Sequence, residues 1–114
     1  MTLRKLDPHE WFRFFDHVSE RLLGKRAEIE IASLEVGAQV LTEWLPIVGI
    51  FYDPKDDFVG IALEGFEHRV YRPREIYIDE PPLGWGTLGL VDWEGALRIV
   101  RLREPLMLPA VTSF

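Results

Sequence analysis

Two apolar runs separated by a polar turn form the clearest pattern in the chain. Residues 47–52 and 58–63 flank the turn at residues 53–57, and this arrangement predicts a central β-hairpin that Gly65 closes. Successive apolar positions on each strand place apolar side chains on both faces. Both faces therefore need a cover, and residues 53–57 are the solvated turn. The side chains predicted to lie in the core are Ile50, Phe51, Ile61 and Leu63.

A helix is predicted over residues 8–23. Asp7 is a good N-cap, Pro8 suits the first helical position, and Glu10 can reach back to the cap. Apolar residues then recur at spacings of four, three and four, which is typical of one buried helix face. This stripe is expected to cover one face of the hairpin. Its residues are Trp11, Phe15, Val18 and Leu22.

The remainder of the chain has the pattern of short strands. From residue 27 apolar and acidic residues alternate, and the phase then shifts near Ala32 and Ser33, which indicates a bulge or bend. Further strands are predicted up to residue 102, with a tail at 103–114. The predicted fold is one α+β domain over residues 1–114: an N-terminal helix followed by a strongly bent antiparallel sheet of five to seven strands over residues 27–102. Such a sheet is a small open barrel of the Sm-like or SH3-like kind.

Composition excludes some classes of function but does not indicate a specific one. The 114 residues carry a formal charge of −6, which disfavours nucleic-acid binding unless basic residues are segregated on one face. The absence of cysteine excludes disulfides and thiolate chemistry and suits a reducing compartment. No apolar run is long enough to span a membrane, and the N-terminus lacks a signal sequence, so a cytoplasmic protein is expected.

No catalytic or metal-binding motif is present. His9 and His17 are eight positions apart on the helix, too far for shared ligation, and the aspartates of the 53–57 turn lack the pattern of a calcium loop. We therefore expect no cofactor and no metal. His17 or His68 would be the centre of any small-molecule or catalytic pocket between helix and sheet.

The arginines allow two interpretations. They can pair with the acidic residues Glu28, Glu30 and Glu35 as structural ion pairs, or they can form one basic patch for RNA or an anionic ligand. The arginines of this nucleic-acid hypothesis are Arg69, Arg72, Arg74, Arg98 and Arg101.

Two tryptophans are candidates for a contact surface. Trp85 lies between glycines, and Trp93 lies in a predicted hairpin turn, where aromatic rings often remain exposed. Trp11 and Trp44 have the context of core residues.

Several short segments resemble a known family. Glu10-Trp11, residues 37–40, residues 44–50, and Pro73 before residues 76–78 are similar to a family of small uncharacterised bacterial proteins, a domain of unknown function. The resemblance covers nearly the whole chain and implies a bacterial protein of one domain, without a catalytic residue. A helix followed by bent strands is also the order of Sm-like RNA-binding barrels, which is an analogy of fold.

Three functional hypotheses follow. The first is a non-enzymatic protein-interaction or self-association module with Trp85, Trp93 and the tail near the contact. The second is an Sm-like nucleic-acid binder, disfavoured by net charge. The third is a small-molecule binder or enzyme, disfavoured by the lack of a catalytic constellation.

Overall fold

The computed structural model describes residues 2–35, 37–80 and 84–107, with side chains at residues 4–35, 37–79 and 86–104. This part of the chain has one α-helix and eight strands. The helix α1 is Trp11–Leu22, and a short 3-10 helix, Pro8–Glu10, precedes it. The strands are β1 Thr2–Lys5, β2 Arg26–Ser33, β3 Gly37–Asp53, β4 Phe58–Leu63, β5 Phe66–Tyr71, β6 Pro73–Glu80, β7 Gly84–Asp92 and β8 Leu97–Met107.

The strands form one open antiparallel sheet in the order β1-β6-β7-β8-β2-β3-β4-β5. The α+β class is therefore correct, but the predicted five to seven strands and the helix as first element are wrong. β1 precedes the helix and pairs with β6. Its sequence shows no alternation, so only the hydrogen bonds to β6 define it as a strand.

The predicted tail also begins later than expected. β8 continues through residue 107, and Met107 pairs with Gly84 of β7. Pro105 is compatible with this pairing because a strand tolerates proline where no ladder donor is required. Residues 108–114 lie outside the described residues.

The helix has the predicted start and the predicted buried face. Asp7 Oδ1 accepts a hydrogen bond from His9 N at 2.8 Å, and Glu10 Oε1 accepts one from Asp7 N at 3.0 Å. The helix packs on β3, where Ser19 Oγ accepts a hydrogen bond from Ile50 N at 3.3 Å. All four residues of the predicted stripe are buried: Trp11, Phe15, Val18 and Leu22.

The first strand of the predicted hairpin, residues 47–52, is part of a longer strand, β3. The first part of β3 pairs with β2 as far as Pro46, and its second part pairs with β4 from Ile47 onward. Trp44, near this change of partner, has a positive φ of 53° and is only half-buried. The register irregularity of β2 lies between Ala27 and Glu30, earlier than the phase shift in the sequence indicated.

The central hairpin is present, but only one of its faces is fully covered. Ile50, Ile61 and Leu63 are buried, as predicted. The prediction for Phe51 is wrong, because its side chain is 41% exposed on the face away from the helix. Val48 is also exposed. The hairpin therefore presents apolar surface to its surroundings.

Candidate functional site

Aromatic rings form a row across the exposed face of β3, β4 and β5. The ring centroids of Phe51 and Phe58 are 5.7 Å apart in an edge-to-face arrangement, and those of Phe58 and Tyr71 are 5.4 Å apart. The Arg69 guanidinium lies 4.7 Å from the centroid of the Phe58 ring, within the range of a cation–π contact. Tyr71 is 55% exposed, so the row is accessible at β5.

A small cleft extends this row toward the β7–β8 turn. Its volume is about 250 Å³, below the range of pockets that enclose drug-sized ligands. Trp93 is 59% exposed at its rim, and the guanidinium of Arg74 lies 5.6 Å from the Trp93 ring centroid. The cleft is lined by Arg69, Tyr71, Arg72, Asp92, Trp93, Glu94 and Arg98.

Asp92 organises the wall of this cleft. Its Oδ1 accepts hydrogen bonds from Glu94 N at 2.9 Å and Ala96 N at 3.0 Å, and its Oδ2 accepts one from the Arg98 guanidinium. Burial alone would raise the pKa of Asp92, but the hydrogen bonds from Arg98 and Ala96 outweigh it, and the pKa lies below its ordinary value. The carboxylate is therefore charged and holds the turn in place.

The five arginines of the nucleic-acid hypothesis do not form one patch. Arg69, Arg72 and Arg98 line the cleft, and Arg74 lies on Trp93. Arg101 is separate from this cleft and bonds to Glu30 at 2.7 Å and Glu28 at 3.1 Å. Its hydrogen bond to Glu30 is the main cause of its raised pKa.

The expected pairing of arginines with the acidic strand is therefore found for Arg101. Arg98 pairs with Asp92 instead, Arg69 with Glu67 at 3.2 Å, and Arg74 with Glu75 at 3.8 Å. Glu35 is exposed in the turn between β2 and β3. Sequence alone could not assign these partners, because each depends on which strands become neighbours.

Trp93 lies exposed at the rim of the cleft, whereas Trp85 is described only as backbone. Trp85 belongs to β7 and pairs with Leu106, and its side chain lies outside the described residues. Sequence reasoning missed Phe51 and Tyr71 as surface residues. The exposure of Tyr71 could have been predicted from its alternation with the apolar Val70. The exposure of Phe51 could not, because Phe51 lies in a continuous apolar run.

Neither candidate histidine lines any of the three clefts described for residues 4–35, 37–79 and 86–104. His17 is exposed on α1. Burial, and then the charge of Arg98, lowers the pKa of His68, whose Nε2 accepts a hydrogen bond from Arg98 Nε at 3.4 Å. Two further clefts, of about 510 and 450 Å³, are also lined by other residues. Within the described ranges no cluster of three or more potential metal ligands occurs.

Comparison with known proteins identifies the family. The model of the family of unknown function DUF5335 matches residues 2–111. The chain belongs to this family. An uncharacterized protein of Aquifex aeolicus (strain VF5) is 34% identical over 110 residues, which is 96% of this chain and 99% of the relative. The predicted resemblance to an uncharacterised bacterial family is thus confirmed, and no solved structure matches.

DUF5335 is a family of unknown function, so only the geometry of the candidate site can indicate what this chain does. In the described part of this DUF5335 chain, no helix has both the length and the apolar character to cross a bilayer.

The exposed position of Phe51 in this DUF5335 protein depends on Gly60. A Cβ atom at residue 60 would lie 2.5 Å from Phe51 Cζ, so the ring lies directly on the glycine backbone. We expect Gly60→Ala to displace the ring and to lower the free energy of unfolding by about 1 kcal/mol in urea denaturation.

The control for this substitution is the same change in a Phe51→Ala background. There Gly60→Ala should be neutral or slightly stabilising, because the clash is absent and alanine restricts the unfolded chain. Equal effects in both backgrounds would show that the ring does not lie on Gly60.

Proposed function

We propose that this DUF5335 protein is a non-enzymatic self-association module in which β5 of one copy pairs with β5 of a second copy. The observation that carries the proposal is a terminal strand bordered by exposed aromatic residues. β5 ends the sheet, and Tyr71 and Trp93 beside it are each more than half exposed.

The two terminal strands of the sheet differ in how well they are protected against pairing with a strand of another chain. β1 has only four residues, two of them the basic Arg4 and Lys5, which are features that protect an edge. β5 has six residues, contains neither proline nor lysine, and pairs with β4 without a register shift. β5 is therefore the edge suited to accept a further strand.

The free side of β5 can be identified from its hydrogen bonding. Arg72 N donates to Asp57 O at 2.8 Å, toward the β4 side of the sheet. Backbone groups of successive residues point to opposite sides of a strand, so those of Glu67, Arg69 and Tyr71 point away from β4. Among the described residues these groups take part in none of the backbone hydrogen bonds that connect separate elements.

Charge favours one register for antiparallel pairing of two β5 strands. With the two-fold axis at His68, Glu67 of each copy lies opposite Arg69 of the other, and both residues direct their backbone groups into the new ladder. Moving the axis to Arg69 would place two arginines opposite each other, which is unfavourable. Glu67 and Arg69 are both exposed. Within one copy they pair with each other at 3.2 Å, and the dimer would replace this pair by two ion pairs between the copies.

The aromatic row supplies apolar contact area beside the paired strands. Tyrosine, tryptophan and arginine are the residues most often dominant in protein interfaces. Tyr71, Trp93 and Arg72 occur together in the cleft, whose volume suits a side chain from a partner better than a cofactor. The nucleic-acid hypothesis has weaker support, because Arg101, Arg98, Arg74 and Arg69 each have a carboxylate partner.

A charge exchange tests the proposal. Glu67→Arg and Arg69→Glu should each place like charges opposite each other twice in the dimer and weaken association at least about tenfold. The double variant Glu67→Arg/Arg69→Glu restores the opposite charges and should restore the dimer. Sedimentation equilibrium of the full chain across the micromolar range measures all four proteins.

The matched control is Arg13→Glu, which changes charge on the exposed face of α1 and should leave association unchanged. The proposal fails if the unaltered chain is monomeric at the highest concentration. It also fails if the double variant dissociates as readily as the single ones.

A further inference from the structure

A second cleft, lined mainly by cations, lies where the helix leads into β2. Its volume is about 510 Å³, and it is lined by Arg21, Leu23, Gly24, Lys25, Arg26, Arg103 and Glu104. Four cationic side chains thus meet one carboxylate in a chain whose formal charge is −6. This is a segregated basic face, which the sequence did not predict because its residues come from three elements.

Three of the four cations of this cleft have no carboxylate partner in the part of the chain whose side chains are described. Within residues 4–35, 37–79 and 86–104, no ion pair involves Arg21, Lys25 or Arg103. Arg26 has a neutral partner, since its guanidinium donates to the carbonyl oxygen of Trp44 at 2.9 Å. By contrast, Arg69, Arg74, Arg98 and Arg101 each have a carboxylate partner.

Two of the cations are neighbours across a strand pair. Ala27 of β2 lies opposite Leu102 of β8, so the antiparallel register places Arg26 beside Arg103. Like charges in such positions destabilise a sheet. Cations near the end of a helix can interact with its dipole, which accounts for Arg21 and Lys25. It does not account for Arg103, which lies on a strand.

The backbone around the cleft is fixed. Gly24 N donates to Ile47 O at 2.9 Å, and Ile47 N donates to Lys25 O at 2.8 Å. The segment that carries Leu23 and Lys25 is therefore attached to β3 at two points. Because these backbone groups are already bonded, a ligand would be held by side chains.

We propose that this cleft binds a small anion that carries two or more phosphate groups. The guanidinium groups of Arg21, Arg26 and Arg103 and the ammonium group of Lys25 supply charge-assisted donors to phosphate oxygens. Four cations around this volume suit several phosphates better than one. The cleft is separate from the proposed β5 contact, so the two proposals can be tested independently.

Titration calorimetry with inorganic tripolyphosphate at low salt tests this inference on the full chain. We expect saturable binding that Arg103→Gln weakens about tenfold, since one charge-assisted contact is lost. Glu104→Gln should tighten binding by removing the carboxylate, and a gain of affinity is not a consequence of misfolding. Arg13→Gln, on the exposed face of the same helix, is the matched control and should bind like the unaltered chain.

Thermal unfolding without ligand gives a second readout. Arg103→Gln should raise the melting temperature, because it removes the unfavourable neighbour of Arg26. A lowered melting temperature would indicate a structural role for Arg103 and overturn the inference. It is likewise overturned if tripolyphosphate does not bind, if Arg13→Gln weakens binding as much as Arg103→Gln, or if a short single-stranded oligonucleotide binds far more tightly than tripolyphosphate.

Discussion

Replacing Asp92 by alanine is expected to lower the free energy of unfolding by about 3 kcal/mol, because it leaves a nearly buried arginine without its partner. The side chains of Asp92 and Arg98 are only 11% and 14% exposed. The substitution also removes the acceptor of the Glu94 and Ala96 N–H groups, which shape the β7–β8 turn. Urea denaturation at neutral pH, followed by tryptophan fluorescence, measures the loss.

The substitution Asp92→Asn separates the stabilisation due to the charge of Asp92 from the stabilisation due to its hydrogen bonds in the turn. Asparagine keeps an acceptor oxygen for the two N–H groups and removes the charge that faces Arg98, so its effect should lie between those of alanine and the unaltered residue. Equal stability of Asp92→Asn and the unaltered chain would show that the ion pair contributes nothing.

The stability difference between the unaltered chain and Asp92→Asn should depend on pH with a defined sign. The pKa of Asp92 is lowered in the folded chain, so the contribution of its charge is complete above the unfolded pKa of roughly 4. That contribution is lost as the pH falls through the folded pKa. The stability difference between the unaltered chain and Asp92→Asn should therefore be constant near neutral pH and become smaller in acid.

Replacing Phe15 by alanine is expected to have the largest effect, a loss of about 4 kcal/mol, because it empties a fully buried ring site. Phe15 has no exposed surface and lies in the core with Val18 and Leu22. The ring is also in edge-to-face contact with Phe14, at 5.3 Å between centroids. Chemical denaturation measures the loss.

Phe12→Ala is the matched control on the same helix. Phe12 is 54% exposed, and surface substitutions usually change stability by no more than about 0.5 kcal/mol. Similar losses for Phe12→Ala and Phe15→Ala would contradict the assignment of the buried face of α1.

Local pattern predicted the helix well because every signal there acts within a few residues. The cap of Asp7 and Glu10 and the spacing of Trp11, Phe15 and Val18 depend on helical geometry alone. The turn of the central hairpin is equally local, since Asp53 Oδ1 accepts hydrogen bonds from Lys55 N and Asp56 N. Both features were therefore predictable without knowledge of the fold.

The candidate sites were less predictable, because they depend on which strands become neighbours. Trp93 could be proposed from its position in a turn, but its place beside Tyr71 and Arg74 results from β5, β6 and β7 meeting at one end. Arg103 gave no individual signal, and only the register of β2 against β8 places it beside Arg26.

The central hairpin shows which features followed from the sequence and which followed only from the tertiary structure. The sequence by itself determined its two strands, its turn and the burial of Ile50, Ile61 and Leu63, since alternation and turn chemistry are local properties. The cover of one face by the helix was also expected from the apolar stripe of α1. Only the tertiary structure decided that Phe51 would remain exposed on the other face. The physical reason is that an apolar side chain in the sequence indicates only that burial is favourable. The order of the strands in the sheet determines whether another element lies over that side chain and buries it.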